Sequence, residues 1–140
     1  MSSVMETQLP MKAPVKSGCV AYLNVDGALA AAAFYQKAFG ASVAAQIPPD
    51  AAGRSMHVHL HVNGGSLMLS DFYPEHGHAK VEPQGFSLVL TVPDVEAAFK
   101  RAVGAGAEGL TPPQKMFWGD FYAEVRDPYG VRWALDQPAD

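Results

Sequence analysis

A single cysteine in 140 residues excludes an internal disulfide, and a lone Cys19 fits a reducing compartment, so a cytoplasmic location is expected. No apolar run approaches the roughly 20 residues that a membrane-spanning helix needs. The opening "MSSVMETQLPMKAPVKSG" lacks the apolar stretch of a signal peptide. Positive charge is also scarce: ten Lys and Arg against fourteen Asp and Glu give a formal charge of −4. With no basic stripe to meet phosphates, nucleic acid is not an expected partner.

Apolar residues are abundant, at 49% of the chain. A chain of this length fits one domain, and folding hides roughly two thirds of its unfolded surface. Residues 1–17 are polar and proline-bearing and read as a mobile tail, leaving 18–140 as a single domain.

That domain repeats itself. "YLNVDGALAAAAFYQKAFGA" (22–41) pairs with "LVLTVPDVEAAFKRAVGAGA" (88–107). Each begins with a strand whose alternate positions are apolar, Leu23 and Val25, then Leu88, Leu90 and Val92. Each continues with an aspartate placed as a helix cap, Asp26 or Asp94. An alanine-rich helix follows and stops at glycine, Gly40 or Gly104/Gly106.

After each helix the pattern returns to period two. "SMHVHLHV" and "SLMLSD" flank Asn63-Gly64, a type I′ hairpin signal. "FYAEVR" and "VRWAL" flank "DPYG", a type I turn signal. The second strands fall in "GASVAAQIP" and "GAEGLTP", and "YPEHGHAKVEPQG" (73–85) reads as a linker. The expected fold is α+β: two βαβββ modules, about 18–72 and 85–137, forming a curved mixed sheet around a trough, with helices on its outer face. With 62 and 65 flanking the first turn, residue 59 opposes 68. Val58, Leu60, Val62, Leu67 and Leu69 then face the helices, while His57, His59, His61, Ser66, Met68 and Ser70 face the trough.

This layout resembles the vicinal oxygen chelate superfamily, which holds glyoxalase I, bleomycin- and fosfomycin-resistance proteins and extradiol dioxygenases. "AAFYQKAFGA" is similar to its first helix and "EVRDPYGVRWAL" to its last hairpin. "SMHVHLHVNGGSLMLSD" and "PPQKMFWGDFYAEVRDPYGVRWAL" resemble the PhnB-like branch. The resemblance spans about residues 18–137 and implies a homodimer. It also places the ligands of metal-using members at Val20, Met68, Ser87 and Ala134. Valine and alanine cannot ligate, and thioether or neutral hydroxyl groups are poor partners for hard divalent ions. No cofactor is therefore expected at the usual site.

The histidines of "HVHLHV" admit three readings. His57 and His59 could hold a divalent metal, with Glu124 adding a carboxylate if it faces the trough as equivalent positions do in relatives. Three same-face residues span about 13 Å, so at most two reach one ion. Alternatively the imidazoles line a polar cavity with Tyr22, Asn24, Ser87, Tyr122 and Glu124, able to donate, accept or carry a proton near a pKa of ~6.5. Or the face is merely solvated, with His61 a bystander and His76 and His78 plain loop.

Met68 reads as trough or core filler. Phe117 and Trp118 form either an aromatic lid or a cap on the core. Trp133 and Leu135 read as core, Cys19 as an inert thiol, and Arg132 as a partner for Glu124 that could also hold an anion.

Two functions follow. One is a metal-independent enzyme of the glyoxalase/dioxygenase-like class, with His57 or His59 and Glu124 as acid/base groups and Tyr122 and Asn24 orienting substrate. The other is a non-catalytic protein that sequesters a small planar or hydrophobic ligand among Tyr22, Phe117, Trp118 and Tyr122. Both take a small molecule as partner.

Overall fold

The computed structural model describes residues 9–139. The repeat read from sequence appears as two units of identical connectivity. The first holds β1 (Ala21–Val25), α1 (Ala28–Phe39), β2 (Ser42–Gln46), β3 (Val58–Val62) and β4 (Gly65–Asp71). The second holds β5 (Leu88–Thr91), α2 (Val95–Ala105), β6 (Glu108–Lys115), β7 (Phe121–Arg126) and β8 (Arg132–Gln137). Strand orders are β1-β4-β3-β2 and β5-β8-β7-β6, with each module's first strand parallel to its last and the other pairs antiparallel. This is the expected α+β class with two βαβββ modules. Each module forms its own four-stranded sheet, and among the described residues no ladder joins the two. Val81, Pro83 and Phe86 of the loop after β4 line a cleft together with Tyr22, Leu23 and Asn24 of β1.

The helices join the modules. Alanine, the best helix former, fills α1, and its spacing turns Ala28, Ala31, Ala32, Tyr35 and Ala38 inward as one buried stripe. Tyr35 and Phe39 of α1 reach the β8 residue Trp133, with ring centroids 5.3 and 4.5 Å apart. Buried residues of both modules form a single cluster, running from Leu23, Leu60 and Leu69 to Leu90, Val125 and Leu135. Full burial of each such side chain contributes about 1.5–3 kcal/mol.

Two buried carboxylates complete the frame. Asp127 of the "DPYG" turn accepts from the N–H groups of Tyr129 and Val131, both at 2.9 Å, from Trp133 Nε1 at 2.8 Å and from the Tyr35 hydroxyl. It thereby ties the helix of one module to the turn of the other. At the start of α1 the expected cap is replaced. Gly27, at φ 108°, turns Asp26 outward to Lys80 at 3.2 Å. Asp71, at the end of β4, caps the helix instead, accepting from Gly27 N at 2.7 Å and Ala28 N at 3.2 Å. In the second module Asp94 caps α2 as expected, accepting from Ala97 N at 3.1 Å.

Of residues 1–17, read as a tail, 1–8 lie outside the described residues and the rest make backbone contacts with the first sheet. Pro10 O accepts from Gln46 N at 2.8 Å, Pro14 O lies 3.3 Å from His61 Nε2, and Lys16 O accepts from Ser66 N at 3.0 Å. Those partners belong to β2, β3 and β4 in turn, so residues 10–16 run as a strap across the first sheet. No helix among the described residues is long and apolar enough to cross a membrane.

Candidate functional site

The first hairpin adopts the register read from its sequence, with Val62 opposite Gly65 and His59 opposite Met68. Asn63 and Gly64 supply the positive φ angles, 54° and 81°, that a type I′ turn needs. His57, His59 and His61 therefore share the face away from the helices, with successive ring centroids 6.3 and 5.1 Å apart.

Each imidazole is engaged separately. His57 Nδ1 lies 3.0 Å from the Tyr22 hydroxyl, which also reaches Met56 O at 3.3 Å. His59 Nε2 lies 2.7 Å from Ser66 Oγ, and His61 Nε2 donates to Pro14 O of the strap. Lys16 N donates to that same Ser66 Oγ at 2.8 Å, which frees the serine's own hydrogen for His59. His59 is only 1% exposed, and burial, then its neighbours His61 and His57, hold its pKa below the ordinary value. It is a neutral imidazole at pH 7. The face is thus enclosed at its centre rather than merely solvated, and His61 is an anchor for the strap.

The second module carries a separate polar group. Glu124 Oε2 accepts from the Tyr122 hydroxyl at 2.8 Å. Its Oε1 accepts from Arg132 at 2.9 Å and, more weakly, from Thr111 at 3.4 Å. The Tyr122 bond, aided by Arg132, lowers the Glu124 pKa against opposing burial. Burial first, then Glu124, pushes Tyr122 up to about 12. The pair is a fixed carboxylate and a fixed phenol at neutral pH. Beside them Asp136 is held above the usual carboxylate range by burial and by Asp120, a pairing that sequence spacing did not reveal.

Phe117 and Trp118 stand at the tip of the β6–β7 hairpin, 97% and 49% exposed, so they do not cap the core. Trp118 packs edge-on to Tyr122, at 5.9 Å between centroids, and Phe117 packs edge-on to Trp118. Ser87 is exposed just ahead of β5 and Met68 is half-buried on β4, neither drawn into these groups.

Tyr22 and Asn24 project from β1 into two adjoining clefts of about 480 and 320 Å³, which also share His78. The larger is walled by Phe72, Val81, Pro83, Phe86 and Val131, and the smaller by Met56, Ser70, Tyr73 and His76. His76 and His78 lie in a tight loop closed by reciprocal bonds of 2.9 Å between the Tyr73 and His78 backbones. Sequence spacing places His76 and His78 in a loop and gives no signal for Tyr73, because only the closed loop brings them back to β1.

A metal does not fit these residues. Val20, Met68, Ser87 and Ala134 offer no hard donor set at the positions that metal-using relatives employ. For His57 and His59, two imidazoles on one tetrahedral zinc would have ring centres about 5 Å apart, closer than the 6.3 Å here; His59 and His61 lie 5.1 Å apart, but their Nε2 atoms are held by Ser66 and Pro14. Glu124 belongs to the other sheet, with both oxygens engaged. Among the described residues no three His, Cys, Asp or Glu side chains converge as an ion cage.

Comparison with known proteins accords with the repeated module. The family description "Glyoxalase/Bleomycin resistance protein/Dioxygenase superfamily" matches residues 18–135. The chain belongs to this superfamily. An uncharacterized protein of Mycobacterium bovis is 40% identical over 124 residues, covering 84% of this chain and 80% of that one. The crystal structure of protein PA1353 from Pseudomonas aeruginosa superposes with a TM-score of 0.71 at 26% identity, covering 87% and 98% of the two chains. A PhnB protein from Bacillus cereus shares the fold, with a TM-score of 0.67 at 20% identity and 87% and 100% coverage.

Proposed function

We propose that this superfamily member is a small-molecule binding protein that works without a divalent ion at the superfamily's customary positions. One observation carries the reading. The side chains best suited to acid/base work are committed to protein partners, while the cleft beside β1 keeps polar groups available. A general base must be able to take a proton within reach of a substrate. Glu124 is ionised with both oxygens occupied, and His59 is buried and held by Ser66. Binding asks less: a concave, largely apolar site with a few convergent polar groups. The clefts at Tyr22 and Asn24 supply that, with exposed His76 and His78 on the rim and a buried Tyr73 hydroxyl beneath. The Trp118–Tyr122 pair with Arg132 offers a second apolar-and-polar surface on the other module. The reading includes a cytoplasmic homodimer, in keeping with the superfamily resemblance and with the lone thiol.

The test is a screen of small organic molecules by protein NMR on the full chain. Tyr22→Ala should weaken a hit about tenfold, the worth of an aromatic wall, and Glu124→Gln should leave affinity unchanged. Discovery of a substrate whose turnover vanishes in Glu124→Gln or in His57→Gln/His59→Gln would overturn the binding reading in favour of an enzyme. A stoichiometric ion in tag-free protein that disappears in the double histidine variant would overturn its metal-free part.

A further inference from the structure

Tyr73 lines the smaller cleft, and its hydroxyl has no use inside the protein. Tyr73 is 5% exposed, and its hydroxyl is buried without a hydrogen-bond partner among the described residues. Arg54 stacks on the face of its ring, 4.2 Å from the centroid, and spends its own hydrogen bonds on Asp50 and Glu75. An unmet buried hydroxyl is costly, so it marks a place where something else supplies the partner. Reaching a ligand in the cleft takes an outward turn of the ring, which breaks no hydrogen bond of the hydroxyl but loosens the Arg54 stack.

The remaining lining defines what that partner is. Asn24 is exposed to the same space and offers both a donor and an acceptor. Tyr22 and Met56 give flat and adaptable apolar walls. Among the described residues, none of the side chains lining either cleft is a Lys, Arg, Asp or Glu. Apart from the two imidazoles of His76 and His78, a charged ligand would lose hydration there without gaining an opposite charge, which is unfavourable. The volumes, about 320 and 480 Å³, lie low in the roughly 300–1,000 Å³ range of small-molecule sites.

We propose that this cleft takes an uncharged, flat molecule of one or two rings bearing a carbonyl or amide. Tyr73 donates its hydroxyl to the carbonyl oxygen, the Asn24 amide makes the second polar contact, and Tyr22 covers the ring. The proposal rests on the binding function above and assigns its ligand class.

Three planar probes of nearly equal size separate charge from shape: benzamide, benzoate and benzamidine, titrated at neutral pH and followed by protein NMR. Benzamide should perturb the Asn24 side-chain amide and the Gly77 and His78 backbone, and the two charged probes should bind there about fivefold or more weakly. Asn24→Leu and Tyr73→Phe should each weaken benzamide about fivefold, the worth of one hydrogen bond. Tyr73→Phe should also raise the thermal midpoint of the ligand-free protein, since it removes the unmet hydroxyl; that gain shows the variant is folded. The proposal is overturned if benzamide leaves the cleft unperturbed at millimolar concentration, if both variants bind it as the parent does, or if a charged probe binds there as tightly. Benzamide shifts that map instead to Trp118 and Tyr122 would sink the proposal and leave the binding function standing. A broad library with no hit anywhere would sink both.

Discussion

Replacing Asp127 by alanine is expected to destabilise the protein by about 4 kcal/mol. The magnitude follows from what the substitution strands. Tyr35 is 0% and Trp133 2% exposed, so neither the phenol nor the indole N–H finds water once the carboxylate is gone. Each unmet buried donor costs about 1–3 kcal/mol. The two turn N–H groups, of Tyr129 and Val131, add less, because half-buried Tyr129 lies within reach of solvent. Asp127→Asn keeps an acceptor for the turn but sets an amide NH₂ against the Trp133 N–H, so about 2 kcal/mol is expected. Urea unfolding followed by tryptophan fluorescence measures both. With a slope of about 2 kcal/mol/M, the alanine midpoint should fall by about 2 M. A shift under about 0.5 M would refute the reasoning. Because Tyr35 belongs to the first module and the turn to the second, both should unfold in one transition. Two separate transitions would contradict the shared core.

Three further outcomes are expected. Removing residues 1–16 should expose His59, so its carbethoxylation by diethyl pyrocarbonate, mapped by mass spectrometry, should become fast; equal rates with and without the strap would show that something else encloses it. Because the Glu124 pKa is depressed in the folded state, its contribution to stability is fully present above the unfolded value near ~4.3 and is lost as pH falls through the folded value. Urea midpoints should therefore be flat from pH 7 to about 5 on its account, and Glu124→Gln should show a shallower acid decline. Asp71→Ala, which leaves the N–H groups of Gly27, Ala28 and Ser55 without their acceptor, should cost about 2–3 kcal/mol by the same urea assay, whereas Asp26→Ala should cost little.

Much of the fold was legible because it is written over short distances. The alternation in "HVHLHV" and "SLMLSD" together with Asn63-Gly64 dictates a register, and that register alone puts three imidazoles on one face. The weak period-two signal of "GAEGLTP" also proved a strand, β6, although its two prolines accompany irregular pairing with β7. The pairing of Arg132 with Glu124 was likewise readable from a hairpin's geometry. Less legible was anything set by where distant backbones meet. Asp26 and Asp94 occupy equivalent places in the repeat, yet only Asp94 caps its helix; Asp71, 43 residues beyond Ala28, caps the other.

The sequence by itself determined the two βαβββ modules, their buried faces, the superfamily, and the lack of hard donors at its metal positions. Those depend on side-chain chemistry and on periods of two and 3.6 residues, which a chain carries locally. Only the tertiary structure decided that the modules keep separate sheets, that residues 10–16 strap the histidine face, and that His57 and Glu124 belong to separate groups. It also decided that a tyrosine in the loop after β4 comes to lie under a cleft with its hydroxyl unmet. Each of these is an encounter between segments far apart in the chain, made or refused by packing and by the demand that buried polar groups find partners.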